Sequence, residues 1–279
     1  MQKPNTRKIA TAIGMGIIFA AIFGLLWNKW FSTLPDEITD TKGVVMRLVP
    51  AGEFRMGSEN GDDDEKPVHT VYLDAYYMDK YEVTNAAYKN CVDTGSCIPP
   101  KQTNSYTRSS YYGNLEFNDY PVIYVDWYHA KNYCEWRGAN LPTEAQWEKA
   151  ARGMEGRTYP WGEDIDCDRT NYRDGDKYCV GDTTRVGSYE NGKSPYDIYD
   201  LVGNVWEWTA DWYSGTYYHN SPSTNPLGPA SGTYRMIRGG SWAMDGIDVR
   251  SANRMSYNYP DLPNFVNYFG FRCARDANP

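Results

Sequence analysis

Hydrophobic and polar positions divide this 279-residue chain into three zones. The first is an uncharged, mostly apolar run, Ile9 to Trp27, with Lys3, Arg7 and Lys8 before it and Lys29 after it. Its nineteen uncharged residues suffice to cross a bilayer as a helix. Basic residues ahead of such a run hold the N-terminus in the cytoplasm, and Trp27 and Trp30 suit the aromatic interface belt. The pattern predicts a cytoplasmic segment at residues 1–8, a transmembrane signal anchor at 9–28, a polar stalk at 29–43 and an extracytoplasmic domain at 44–279, periplasmic or extracellular. A cleaved signal peptide is the rival, but no Ala-x-Ala site closes the run.

In the second zone alternation and helical spacing are readable. Val44 to Val49 and Thr70 to Tyr77 have the β-branched, alternating character of strands. Thr84 is placed to cap a short helix through Asn90, and Asp126 to cap a longer one ending at Gly138. Thr143 with Gln146 spells a capping box for a helix that turns Trp147, Ala150 and Ala151 inward and stops at Gly153. Asp62 to Glu65 reads as a solvated charged loop. The third zone, Gly153 to Ser241, is nearly aperiodic, and a loop region that long needs pinning by disulfides or a cation. Tyr234 to Arg238 and Gly270 to Ala274 read as closing strands.

The densest window is Asp200 to Trp212, with three tryptophans around a Gly203-Asn204 turn. Gly and Asn accept positive φ at little steric cost. Glu207, between Trp206 and Trp208, must find a partner if buried, either a cation or a hydrogen-bond donor such as arginine. Asp200, Glu207 and the turn carbonyls are hard oxygen donors of the kind calcium takes.

This window, with Arg238-Gly-Gly-Ser-Trp242 and Gly270-Phe-Arg-Cys-Ala274, resembles the formylglycine-generating enzyme (sulfatase-modifying factor) family. Val49-Pro-Ala-Gly-Glu-Phe-Arg-Met-Gly57, Tyr81-Glu-Val-Thr-Asn85, Pro121-Val-Ile-Tyr-Val-Asp-Trp127 and Leu141-Pro-Thr-Glu-Ala-Gln-Trp-Glu148 match in the family's order. The resemblance implies an α+β, C-type-lectin-like fold, rich in loops. It implies one calcium site at Asp200 and Glu207 with the carbonyls of Gly203 and Val205. A second would use Asn171, the Tyr172 carbonyl, Asp176 and the Tyr178 carbonyl.

The family's oxidases bind copper(I) through two cysteines after the Gly-Gly-Ser-aromatic element. Met244 and Val249 stand at those positions here, and a lone thioether cannot replace two thiolates. Catalysis, and copper with it, is therefore not expected. His69, His129 and His219 lack metal-ligand spacing, and no Gly-x-Ser-x-Gly elbow is present.

Six cysteines in a segment placed outside the cytoplasm point to disulfides, although the residues alone leave several connectivities open. Cys91 with Cys97 and Cys167 with Cys179 are favoured because each closes a short loop, leaving Cys134 for Cys273. The family resemblance supports the last pairing. A net charge of −8 disfavours nucleic acid.

The leading expectation is a membrane-anchored, catalytically silent binding scaffold with a protein partner. Its binding surface is placed between Ala243 and Phe269 on Asp245, Asp248, Tyr257, Tyr259, Phe265 and Tyr268. In that segment Arg250 and Arg254 are expected to pair with buried carboxylates instead. Rival readings are an accessory subunit of a membrane complex, the ligand-displaying variable protein of a diversity-generating retroelement, and formylglycine formation itself.

Overall fold

The structure, a computed structural model, describes residues 34–258 and 266–277. The expected anchor at 9–28, Tyr259 and Phe265 lie outside the described residues. Among the described residues no helix is long and apolar enough to cross a membrane.

The chain enters through β1 (Glu37–Thr39), which pairs antiparallel with β2 (Val45–Val49). The expected stalk at 29–43 is thus shortened, because residues 37–39 belong to a sheet. Asp40 fixes the connecting turn by accepting the N–H groups of Lys42 and Val44 and pairing with Arg137 at 2.8 Å.

β3 (Gly52–Met56) and β4 (His69–Leu73) form a two-stranded ribbon, and β5 (Tyr76–Asp79) returns to pair with β2. The single strand expected over Thr70 to Tyr77 is broken at Asp74-Ala75, since its two halves serve different sheets. The loop before β4 also departs from expectation. Glu65 is fully buried, and both of its oxygens accept from Arg250, at 2.9 and 2.7 Å.

All three expected helix starts are present: α1 (Asn85–Asp93) on Thr84, α2 (Trp127–Trp136) on Asp126 and α3 (Glu144–Arg152) on the complete Thr143/Gln146 capping box. Beyond them a small hairpin, β6 (Arg173–Asp174) with β7 (Lys177–Tyr178), is stapled by Cys167–Cys179.

β8 (Trp206–Trp212) then runs through the second sheet with β9 (Tyr234–Arg238), β10 (Met255–Asn258) and the two-residue β11 (Phe269–Gly270), in the order β10-β9-β8-β11. The sequence showed a turn here but not β8, because most of its residues are buried on both faces and no alternation marks it. The closing strand expected at Gly270 to Ala274 is also divided. β11 adds parallel to β8, while β12 (Ala274–Asp276) adds antiparallel to β5 in the first sheet, β1-β2-β5-β12.

Between them Phe271, Arg272 and Cys273 cross from sheet to sheet fully buried. Cys273 is bonded there to Cys134 of α2, and the third bridge is Cys91–Cys97, so all three expected pairings are present. One apolar cluster packs Trp147 and Leu201 under the β3–β4 ribbon. A second packs Trp206, Trp208, Phe269 and Phe271 against α1 and α2. Each buried aromatic stabilises the fold by roughly 2–3 kcal/mol.

Candidate functional site

Glu207 and Asp200 lie where the two sheets meet. Glu207 projects from β8 into the interior, and the crossing segment brings Arg272 to it. Arg272 Nη2 donates to Oε1 at 2.7 Å and Nε to Oε2 at 2.7 Å, while Trp147 Nε1 donates to Oε2 at 2.9 Å. Arg272 also reaches the carbonyls of Asp79 and Tyr199, so every nitrogen of a wholly buried guanidinium has an acceptor. The arginine-paired alternative for Glu207 is the one realised. The expected calcium set of Asp200, Glu207 and the Gly203 and Val205 carbonyls does not fit, because both Glu207 oxygens already serve a cation.

Asp200, at φ 56°, accepts the N–H of Gly187 at 2.6 Å, and its carboxyl is pushed up to about 6, chiefly by burial. Glu82 completes an acidic trio that the sequence reading missed. Burial first, then Asp200 and Glu207, drive its pKa well up, and Asn204 Nδ2 donates to it at 2.6 Å. Gly203 closes the turn at φ 76°, where any Cβ would lie 2.3 Å from Thr170 Oγ1.

The second set divides. Asn171 is buried, its Nδ2 donates to the Asp182 carbonyl at 2.8 Å, and its Oδ1 has no partner among the described residues. The Tyr172 carbonyl accepts the Cys179 N–H, whereas Asp176 and Tyr178 are exposed on the β6–β7 hairpin. An orphaned amide oxygen fits a hard cation at the Asn171 end. The exposed Asp176 carboxylate adds no enclosure there.

The Gly239–Val249 neighbourhood is packed without thiols. Gly240 takes φ 74°, and a Cβ there would meet Val249 Cγ1 at 2.4 Å. Val249 is fully buried, Met244 packs partly buried against both apolar clusters, and no cysteine is free. One thioether and a hydrocarbon do not make a copper(I) donor set.

Trp242 differs from the other large core aromatics. Its indole N–H is buried and has no acceptor among the described residues, whereas those of Trp127, Trp147 and Trp208 donate to Thr209, Glu207 and Val125. Over it lie the rings of Tyr106 at 5.1 Å and Tyr178 at 5.6 Å, which are 64% and 47% exposed. Tyr268 packs edge-on at 6.4 Å. Tyr106 is held by Asp182, which accepts from Ser105 Oγ at 2.6 Å and from the N–H of Thr107 at 2.8 Å. No periodic signal marks Tyr106 or Asp182, since both lie in irregular loops.

The expected binding residues are therefore redistributed. Tyr268 belongs to this face. Tyr257 instead packs against Trp208 and Phe269, with ring centroids at 6.4 and 4.7 Å, and is part of the fold's support. Asp245 is ion-paired with Arg173 at 2.5 Å, and Asp248 is half-buried. Arg254 pairs with Glu144 as Arg250 does with Glu65, so both arginines serve the core.

One antiparallel and one mixed four-stranded sheet, three short helices and a core of arginine–carboxylate pairs beneath an aromatic face define a loop-rich α+β domain of the formylglycine-generating-enzyme type. The chain belongs to the sulfatase-modifying factor enzyme 1-like domain family, whose model matches residues 32–277. It is 39% identical to a Chlamydia pneumoniae protein named serine/threonine-protein kinase pkn1 over 84% of this chain, but spans only 38% of that relative's length. It is 34% identical to the formylglycine-generating enzyme of Streptomyces coelicolor, over 85% of this chain and 90% of the relative. It is 31% identical to the bovine (Bos taurus) inactive C-alpha-formylglycine-generating enzyme 2, over 92% and 94%. Among solved structures, PvdO from Pseudomonas aeruginosa superposes with a TM-score of 0.73 at 25% identity, over 88% of this chain and all of that one.

Proposed function

We propose that this chain is a non-catalytic binding module of its family, anchored through residues 9–28 with its domain outside the cytoplasm. The observation that carries the reading is the pair Met244 and Val249 at the positions of the family's copper-binding cysteines, with Val249 sealed in the core. All six cysteines are engaged in bridges, which supports the same conclusion. A catalytically inactive relative aligned over nearly the whole chain agrees with it. The kinase-named relatives do not bear on activity, because most of their length lies outside the match.

The partner surface is the aromatic face of Tyr106, Tyr178, Trp242 and Tyr268. Exposed Val180 and Ile247 lie on neighbouring stretches of chain. Exposed tyrosine above tryptophan is the residue chemistry of protein hot spots. A calcium ion held at Asn171 Oδ1 and the neighbouring Tyr172 carbonyl is part of the proposal, supported by the orphaned oxygen.

Affinity purification of the full chain in mild detergent tests the reading. A stoichiometric partner should be captured and then lost with Tyr106→Ala or Tyr178→Ala at unchanged melting temperature. Equal capture by both variants would remove this face from the proposal.

A further inference from the structure

Arg137, Arg152, Arg238, Arg250, Arg254 and Arg272 are buried, and each pairs with a carboxylate at 2.6 or 2.7 Å. Arg235, 8% exposed, is the buried arginine that makes no ion pair among the described residues. Its position follows from the strand register. Arg235 of β9 stands opposite Trp212 of β8, and Trp127 is the first residue of α2. The guanidinium carbon lies 3.5 Å from the ring centroid of each indole. Two rings that close to one carbon cannot share a side, so the guanidinium is sandwiched between them and held in one plane. Trp127 is fixed there by its own indole N–H, which donates to the Thr209 carbonyl at 2.7 Å. Trp212 is half-buried and the neighbouring Tyr128 is 46% exposed, so the sandwich sits at the surface.

With both faces covered, only the edges of the guanidinium are left for hydrogen bonds. Nη1 donates to the Ala210 carbonyl at 2.8 Å. Nε is buried without a partner, and Nη2, which is not enclosed, makes no hydrogen bond among the described residues. Nε and Nη2 form one edge, and elsewhere in this molecule that edge carries a carboxylate. In Arg272 the two nitrogens donate to the Glu207 oxygens, both at 2.7 Å, and in Arg254 they donate to those of Glu144 at 2.7 and 3.1 Å. Burial lowers the pKa of Arg235 against the pull of Tyr128 and Asp211, whereas in Arg254 and Arg272 burial is outweighed by the paired carboxylate and the pKa rises. Asp211 does not act as the missing counter-charge. It makes no ion pair among the described residues, and burial pushes it up to about 8.

We propose that the Nε/Nη2 edge of Arg235, held between Trp127 and Trp212, binds a carboxylate group from outside the chain. Two parallel N–H donors match the two oxygens of a carboxylate in bidentate geometry. With an indole 3.5 Å from each face, the slot is one planar group thick. It admits a carboxylate lying in the guanidinium plane and crowds a tetrahedral phosphate. Tyr128 packs edge-on against the Trp127 ring at 5.2 Å and gives the rest of the ligand an aromatic surface. A small acid and the C-terminus of a peptide present the same group to this edge. The inference does not depend on the aromatic face around Trp242.

The test follows the arginine Nε–H signals of the detergent-solubilised full chain by NMR, with the Arg235 signal assigned through bonds in the parent protein. Acetate and triglycine should each move that signal downfield in a saturable way. Amidated triglycine, and sodium chloride at equal ionic strength, should not, and inorganic phosphate should bind more weakly than acetate. The signals of Arg254 and Arg272, whose edges are occupied, should stay in place. If triglycine binds about tenfold more tightly than acetate, the carboxylate is a peptide terminus; if not, it is that of a small acid. Arg235→Lys keeps the charge and loses the fork, so binding read from the Trp127 and Trp212 indole N–H signals should weaken about tenfold. Unmoved Arg254 and Arg272 signals verify that this variant is folded. Asp261→Asn removes the one carboxylate of residues 259–265 and should bind as the parent does. No shift with either acetate or triglycine, an equal shift with phosphate, equal binding by folded Arg235→Lys, or tighter binding by Asp261→Asn would overturn the proposal. The last result would assign the edge to a carboxylate of this chain.

Discussion

Around α3 the buried charges have counterparts. Glu144 takes Arg254 at 2.7 Å, Glu148 takes Arg152 and Arg238 at 2.7 and 2.6 Å, and Glu207 takes Arg272. Around Trp242 the bookkeeping is left open. Among the described residues a buried indole N–H has no acceptor, tyrosines lie exposed above it, and an amide oxygen at Asn171 is unpaired. The two regions are joined through the Gly239-Gly240 turn, so the contrast is not one of core against periphery. Where buried charges are ion-paired the residues hold the fold, even though Arg238 Nε, Ser251 Oγ and Asn253 Oδ1 there also lack partners among the described residues. Where they are not, a ligand or partner has something to gain by supplying the missing atoms.

Breaking the saturated region should have the largest effect. Glu207→Gln leaves Arg272 buried with its partner's charge gone, and Arg272→Leu leaves Glu207 without its counter-charge, so each should cost about 3–5 kcal/mol of unfolding free energy. Chemical denaturation measures it. A variant as stable as the parent would mean that the pair does not hold the two sheets. Removing Cys134–Cys273, whose partners are 139 residues apart, should cost roughly 3–5 kcal/mol by the same measurement. Cys91–Cys97, six residues apart, should matter less.

The exceptions within the saturated region sharpen the comparison through pH. Asp211, four residues after Glu207, is buried with no ion pair among the described residues, and burial with the nearby Glu144 carboxylate pushes it up to about 8 against the opposing pull of Arg254 and Arg238. Glu82 and Asp200 are raised for the same first reason. The folded state thus holds these protons more tightly than the unfolded chain. Their contribution is fully present below the ordinary carboxylate range and is lost as pH rises through the folded value. The melting temperature should fall between pH 5 and 8, and Asp211→Asn should flatten that slope. Lys149, pushed down to about 8 by burial, acts above this window. A melting temperature that rises over the same window would contradict the assignment.

Smaller effects belong to the open region. A chelator should lower the melting temperature by a few degrees if a cation uses Asn171, and Asn171→Ala should abolish that difference. Tyr106→Ala and Tyr178→Ala should leave stability within about 0.5 kcal/mol, since exposed side chains away from buried networks contribute little.

Helix starts and strands with a capping residue or alternation were legible in the sequence: Thr84, Asp126, Thr143 with Gln146, and Tyr234 to Arg238. β8 was not, because a strand buried on both faces has no period-two signature. The breaks at Asp74-Ala75 and at Phe271 to Cys273 were also invisible, since a strand that changes sheets keeps its local composition. Glu207 was recognised as needing a partner, but Arg272 is 65 residues away and only the fold brings it there. The disulfides could be read because two of them close short loops. The aromatic face could not, because Tyr106 reaches Trp242 through the loop held by Asp182.

We propose that the Gly239–Val249 neighbourhood, packed without thiols, carries no oxidase chemistry. The most direct measurement is thiol consumption when the purified chain is incubated with copper(I), oxygen and a Cys-x-Pro-x-Arg peptide. With Met244 and Val249 in place of the thiolate pair, loss of peptide thiol should match the buffer rate. Turnover above buffer, with formylglycine in the product peptide, would contradict the account.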